Sequence, residues 1–131
     1  MGLFNKMFSG KNEENQPKRA KIQWIPLASI GQLDEIAAAS TGKTQVIFKH
    51  STTCGISRMV LNMFTSSYAL EVGKVDMYFL DLLANRDVSN AVAEKFQVMH
   101  QSPQMLIIKN GVVVAHDSHG AINELLLDNY V

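Results

Sequence analysis

The sequence predicts an α/β fold in which a mixed central sheet lies between two layers of helices. Strand and helix patterns alternate three times between residues 22 and 96, which is typical of parallel β–α units. Further along, two apolar strand runs flank Asn110-Gly111, the dipeptide most typical of a tight hairpin. A chain of 131 residues, 47% hydrophobic and 18% charged, has enough apolar side chains for one self-contained core.

The first β–α unit opens the domain. Residues 22–25 form a short apolar run that Pro26 ends. Ser29 and Gln32 have the spacing of a capping box, and the apolar positions after them predict a helix that ends at Gly42.

Two further units follow the first. Residues 44–49 are rich in β-branched and aromatic types, and apolar residues then recur at helical spacing from Ile56 to Phe64. Residues 75–83 predict a strand buried on both faces, and residues 88–96 predict another helix.

The pattern of strands and helices in the last part of the chain differs from that of the three β–α units. Residues 105–109 and 112–115 are predicted to be antiparallel strands, because the turn between them tolerates positive φ. Residues 121–129 are predicted to form a closing helix. Its apolar face would carry Ile122, Leu125 and Leu126.

The N-terminal residues differ in composition from the rest. Residues 11–21 contain Asn, Glu, Gln, Pro and basic types with almost nothing apolar, and such a segment cannot supply a core. Residues 1–21 carry a net charge of +3, which leaves −3 for the remainder. We expect a flexible polar N-terminal tail over residues 1–21 and one folded domain over residues 22–131.

Residue counts exclude several classes of function. Twelve basic and twelve acidic residues leave no excess positive charge for a nucleic-acid-binding protein. No apolar run reaches the roughly 18 residues that would span a bilayer, and the chain does not begin like a secretory signal. A single cysteine closes no internal disulfide and builds no Cys-based metal site by itself, so we expect no bound metal and a cytoplasmic location.

That cysteine, Cys54, falls between a predicted strand and a predicted helix. Ligands of α/β sheets bind at the carboxyl ends of strands, and the first turn of a helix stabilises an anion by roughly 0.3–1 kcal/mol. A sulfur placed there is expected to ionise more readily than a free cysteine, which suits a nucleophile. The structural alternative is an inert cysteine buried in the core.

Neighbours of the cysteine support the reactive interpretation. Ser57 lies one helical turn after Cys54, where its hydroxyl could donate a hydrogen bond to the sulfur. Gly55 has no side chain, so a partner sulfur could approach closely. Ser57 could equally be an ordinary helix-cap residue.

Ser102-Pro103 precedes a predicted strand. A cis bond there would turn the preceding backbone outward, so that Ser102 could pair with an extended thiol substrate laid across the cysteine. The alternative is a trans proline at the start of a strand, which is the commoner form.

Three separated motifs resemble one family of redox proteins. They are Lys49-His-Ser-Thr-Thr-Cys-Gly-Ile-Ser57, His100-Gln-Ser-Pro-Gln104 and Ser118-His119. In this order they are similar to the YtxJ family of monothiol bacilliredoxins, and residues 22–131 resemble the thioredoxin-like fold. The resemblance implies a thioredoxin-like three-layer α/β/α sandwich with a mixed central sheet.

The resemblance also implies an activity. The protein would be a monothiol thiol–disulfide oxidoreductase that removes a low-molecular-weight thiol, bacillithiol or a similar one, from S-thiolated cytoplasmic proteins. Cys54 would be the nucleophile and would carry the mixed disulfide. The small thiol would be a co-substrate, no cofactor would be bound, and a second thiol or a separate reductase would resolve the mixed disulfide.

By position, the resemblance assigns the remaining site residues. Thr53, Gly55 and Ser57 would flank the nucleophile, and Ser102 with Pro103 would be the cis-proline pair that faces the substrate. Lys49 could meet a carboxylate of the small thiol.

One residue departs from the family pattern. The usual active-site string is Thr-Cys-Pro-Ile-Ser, whereas this chain has Gly55 in place of the proline. Cys-Gly-Ile-Ser also resembles the Cys-Gly-Phe-Ser of monothiol glutaredoxins, which carry an iron–sulfur cluster in a dimer. Two alternatives therefore stay open, an iron–sulfur cluster carrier and a redox-inert thioredoxin-like interaction module.

Overall fold

A computed structural model describes residues 22–131 of the chain. The tail expected over residues 1–21 lies outside these described residues. The described elements, in chain order, are β1 (Ile25–Pro26), α1 (Gly31–Ala39), β2 (Thr44–His50), α2 (Gly55–Ser67), β3 (Val75–Asp81), α3 (Arg86–Phe96), β4 (Gln104–Lys109), β5 (Val112–Ser118) and two short 3₁₀ helices, His119–Glu124 and Leu127–Tyr130.

The five strands form one mixed sheet in the order β1-β3-β2-β4-β5. β3 pairs in parallel with β1 and β2, whereas β4 pairs antiparallel with β2 and β5. The β4–β5 turn has positive φ at Asn110 and Gly111, as the dipeptide predicts, and both backbone N–H groups donate to Ser40 at the end of α1.

Side chains alternate along the central strands and feed two apolar clusters. Ile47 and Leu106 face α1 and α3, whereas Phe48 and Met105 face α2 and the C-terminal 3₁₀ segments. The predicted three-layer arrangement of helices around a mixed sheet is therefore confirmed. Every residue of β2 is buried, because this strand lies between β3 and β4 with packing on both faces.

The strand predicted over residues 75–83 is shorter, Val75–Asp81, and it is buried at Val75, Met77 and Leu80 and half-buried elsewhere.

Two further predicted elements differ from the structure. The first strand is only Ile25–Pro26, the part of the segment that reaches β3. The closing helix predicted over residues 121–129 is instead two 3₁₀ turns separated at Leu125 and Leu126, which have extended backbone angles. Leu127 rather than Leu126 is buried, because the chain must turn again to cover the β2–β4 surface.

Hydrogen bonds between residues close in sequence fix the start of α1. Gln32 Oε1 accepts the backbone N–H groups of Ala28 and Ser29 at 2.8 and 3.0 Å. This is the reach-back half of the predicted capping box, and it fixes the entry of α1 after Pro26, whose carbonyl accepts from Gln32 Nε2.

Candidate active site

The candidate site lies at the carboxyl edge of the parallel strands. β2 ends at His50, and after a three-residue turn Cys54 occupies the N-cap of α2 with extended backbone angles of φ −101° and ψ 120°. Cys54 is half-buried, so the sulfur-bearing residue is neither enclosed in the core nor fully exposed. The position at a strand–helix junction is the one that the sequence predicts.

Backbone and side-chain hydrogen bonds hold the turn that precedes the cysteine. The Cys54 N–H donates to the Ser51 carbonyl at 3.2 Å, and the Arg58 guanidinium donates to the Thr52 carbonyl at 3.3 Å. Thr53 is exposed, and its hydroxyl lies 3.4 Å from that of Ser51. The turn is therefore fixed from both ends while Thr53 faces solvent beside Cys54.

Ser57 is fully buried below this turn. Its Oγ accepts the Ser51 N–H at 3.1 Å and lies 2.8 Å from His50 Nδ1. Within residues 22–131 no hydrogen bond joins Ser57 to the Cys54 sulfur. Ser57 thus braces the turn, whereas the sequence predicted direct support of the sulfur.

His50 completes this buried contact and was not assigned from the sequence. Burial lowers the pKa of His50; the Asp81 carboxylate opposes this shift and Arg58 adds to it. His50 Nδ1 and the Ser57 hydroxyl share a hydrogen bond, and the His50 ring lies 5.3 Å from that of Phe79. The sequence signal for His50 is its period-two spacing from Val46 and Phe48, which places it on the same face of β2 as these two apolar residues.

Replacing Ser57 by alanine is expected to lower the free energy of unfolding by about 1–3 kcal/mol, because it leaves the buried Ser51 N–H and His50 Nδ1 without a partner. Urea unfolding measures the loss. Ser67→Ala on the exposed end of the same helix is the matched control and should change stability by less than about 0.5 kcal/mol. Equal effects of the two substitutions would contradict the bracing role.

Gly55 is exposed, and a Cβ built on it would meet nothing within 4 Å. The space that sequence analysis predicted beside the sulfur is therefore present. Because its φ is not positive, the backbone itself does not require glycine at this position.

Ser102-Pro103 is a cis peptide bond. Gln104, the next residue, pairs with Lys49 of β2, so the cis bond lies across from the end of β2 where the cysteine turn begins. Pro103 is buried and its carbonyl accepts the His119 N–H at 3.0 Å. The Ser102 Oγ is buried and has no hydrogen-bond partner among the described residues.

Lys49 does not face solvent, although the sequence analysis assigned it to contact with a carboxylate of the small thiol. Its side chain has 0% exposure and points to the α3 face of the sheet, opposite to His50. Its Nζ lies 3.4 Å from the Ser89 carbonyl and 3.2 Å from His100 Nδ1. Because β2 is buried on both faces, the Lys49 side chain lies inside the protein. A small thiol therefore cannot contact it without displacing its neighbours.

Burial lowers the pKa of Lys49 from 10.5 to about 8. Between these two pH values the unfolded chain binds more protons than the folded chain, so this residue makes stability rise with pH across that window. We expect Lys49→Met to have a higher free energy of unfolding than wild type. The difference should be largest below pH 8 and should shrink toward pH 10.5. Urea unfolding of both proteins at pH 7 and pH 10 tests this, and a pH-independent difference would contradict it.

Residues 22–131 contain neither a metal-binding group nor a membrane-spanning helix. No group of three or more His, Cys, Asp or Glu side chains there could hold a metal ion. Likewise, none of the helices within these residues has both the length and the apolar composition needed to cross a membrane.

Comparison with known proteins decides the family. The family described as "Monothiol bacilliredoxin BrxC" matches residues 25–127, which is most of the chain. The chain belongs to this bacilliredoxin family. Its single cysteine fits the monothiol description, and the family match together with the fold supports a thiol redox function.

Solved structures agree with this assignment. A protein described as a candidate oxidoreductase with a thioredoxin fold is 33% identical, with a TM-score of 0.64 over 76% of this bacilliredoxin and 85% of that chain. Thioredoxin from Schistosoma mansoni is 20% identical, with a TM-score of 0.62 over 82% of this chain and 95% of its own. Thioredoxin from Trypanosoma brucei brucei is 18% identical, with a TM-score of 0.62 over 80% and 86%. The two thioredoxins show the fold alone.

Proposed function

We propose that this bacilliredoxin removes a small thiol from S-thiolated proteins by thiol–disulfide exchange at Cys54. The observation that carries the proposal is a half-exposed cysteine at the N-cap of α2 in a member of the monothiol family. The unpaired N–H groups and partial positive charge of a helix N-terminus stabilise a thiolate, which is the attacking form of a cysteine.

The reaction needs no external oxidant or reductant in its first step. The Cys54 thiolate attacks the small-thiol sulfur of the mixed disulfide on the client, a new Cys54–small-thiol disulfide forms, and the client sulfur leaves as a thiolate that takes up a proton. A second small thiol, or a separate reductase, then attacks the small-thiol sulfur and returns Cys54 to its thiolate.

The residues around Cys54 would have different roles in the exchange. Thr53 and Gly55 border the approach to the sulfur, and Ser57 holds the turn that carries it. Ser102 and Pro103 would present the backbone against which an extended substrate lies. Lys49 does not belong to this contact surface, because its side chain is buried.

The family match supports a proposal for the co-substrate and the compartment. We propose bacillithiol or a similar low-molecular-weight thiol as co-substrate, no bound cofactor, and a reducing, cytoplasmic location. S-thiolated proteins would be the clients, while neither a nucleic acid nor a membrane is needed for the exchange.

Intact-mass spectrometry after incubation with an oxidised small thiol tests the proposal. We expect one small-thiol adduct per chain, fully removed by excess reduced thiol, because Cys54 is the only cysteine in the chain. A protein that stays bare would instead be the redox-inert interaction module. Anaerobic reconstitution with iron, sulfide and small thiol tests the remaining alternative, since a brown dimer would indicate a cluster carrier and we expect a colourless protein.

A further inference from the structure

A groove lies between the C-terminal end of α2 and the closing 3₁₀ segments. Its volume is about 420 Å³, within the range of cavities that hold a small ligand or a few side chains. This C-terminal groove is defined by its apolar lining, which consists of Phe64, Tyr68, Leu70, Leu125, Leu126 and Leu127. Leu126 is 63% exposed, so part of the apolar lining faces water.

A polar side chain of the C-terminal groove lacks a partner. Asn123 lines the groove, and both polar atoms of its amide are buried with no hydrogen-bond partner among residues 22–131. Such an amide is costly, because burial has removed its hydrogen bonds to water. Every peptide group carries one donor and one acceptor, so a polypeptide segment that enters the groove can satisfy both atoms.

The chain enters the described domain beside this groove. Ile22 and Trp24 pack against the same apolar cluster as Leu70. A neighbouring cavity is lined by Gln23 and Trp24, and it shares Tyr68 and Leu70 with the C-terminal groove. Residues 1–21 are therefore joined to the domain next to the groove.

The first eight residues have a composition that suits this surface. They contain apolar residues with the spacing of one helix face, namely Leu3, Phe4, Met7 and Phe8. Residues 9–21 connect this segment to the domain and can extend to roughly 45 Å at about 3.3–3.6 Å per residue. That length is ample for a groove that adjoins the cavity beside Trp24.

Charge favours the same pairing. Residues 1–21 carry a net charge of +3. Asp128 lines the groove, and Glu71 and Glu124 are next in sequence to residues that line it. All three carboxylates are exposed, and none forms an ion pair within residues 22–131. No Lys, Arg or His of the described part of the chain lines the groove, so its charge is complementary to that of the tail.

We propose that residues 3–8 dock in the C-terminal groove of their own chain. The apolar face of the segment covers the exposed lining, and its backbone supplies partners for Asn123. The groove lies at the opposite end of α2 from Cys54, roughly 20 Å away along a helix of 13 residues, so the docked segment leaves the thiol open. The docking covers an apolar surface that would otherwise associate with other chains.

Amide hydrogen exchange of the full chain tests this docking. We expect the double variant Phe4→Ser, Phe8→Ser to exchange at least about fivefold faster than wild type over residues 125–129, because the segment that covers them is lost. Leu126→Asp should have the same effect, and its exposure means that the domain still folds. Combining all three substitutions should add nothing further, since both variants remove the same contact.

Two control variants separate docking from a general effect of substitution. Asn12→Ser, Gln16→Ser changes the polar part of the tail, and Val112→Asp adds a charge at an exposed apolar residue of β5 outside the groove. Both should leave exchange over residues 125–129 unchanged. Thiol exchange at Cys54 should stay within about twofold of wild type in the Phe4→Ser, Phe8→Ser variant, so the docking and the redox function can fail separately.

Unchanged hydrogen exchange in the Phe4→Ser, Phe8→Ser variant would overturn the proposal. An effect that grows with protein concentration would assign the segment to the groove of a second copy. Loss of binding to phosphatidylglycerol vesicles without a change in hydrogen exchange would assign it to a membrane surface. Either of these results would also contradict docking within one chain.

Discussion

Replacing Cys54 by serine is expected to lower the rate of small-thiol removal from an S-thiolated client by at least about a thousandfold, to the uncatalysed rate. The chain has one cysteine, so the substitution deletes the covalent route and leaves no second thiol to replace it. A serine hydroxyl ionises far above neutral pH and does not attack a disulfide. The measurement is loss of the adduct mass from the client in the presence of reduced small thiol.

The matched control for this experiment keeps the number of thiols constant. In the double variant Cys54→Ser, Ser67→Cys, the thiol moves to the exposed C-terminal end of the same helix. It loses the helix N-terminus and the neighbouring Ser102-Pro103 bond. We expect it to be no faster than free cysteine, and activity near that of wild type would show that position is unimportant and would contradict the proposed site.

Replacing Phe48 by alanine is expected to lower the free energy of unfolding by about 3–5 kcal/mol, the range for removing a fully buried aromatic ring. Phe48 lies at the centre of β2 and is fully buried. Its ring is 5.9 Å from that of Trp24 and 5.7 Å from that of Phe64. The substitution therefore opens a cavity between Trp24, β2 and α2.

Urea unfolding with a constant m-value measures this loss. Val112→Ala is the control, because Val112 is 58% exposed on β5 and its replacement should change stability by less than about 0.5 kcal/mol. A loss below about 1 kcal/mol for Phe48→Ala would mean that the α2 side of the sheet does not pack as described.

Local sequence patterns predicted most of the fold because each depends on near neighbours. The β4–β5 hairpin follows from Asn110-Gly111, whose two residues adopt positive φ. The entry of α1 follows from Gln32, which binds backbone groups only three and four residues away. The position of Cys54 at the start of α2 follows from the same kind of pattern, a strand run followed by helical spacing.

Contacts between distant residues could not be predicted in this way. His100 approaches Lys49 only when α3 and the segment before β4 are folded against β2, so neither residue's partner is visible in its own motif. The closing segment likewise forms 3₁₀ turns because it must follow the surface of a sheet built from earlier parts of the chain.

The sequence by itself determined the order of strands and helices, the lone thiol and its place at a strand–helix junction, because these depend on residue type and short-range periodicity. The tertiary structure decided that Ser57 braces the turn through His50 and that Lys49 lies buried against α3. The physical reason is that the burial and the partners of a polar side chain depend on which distant elements pack together, and short-range sequence patterns do not specify that packing.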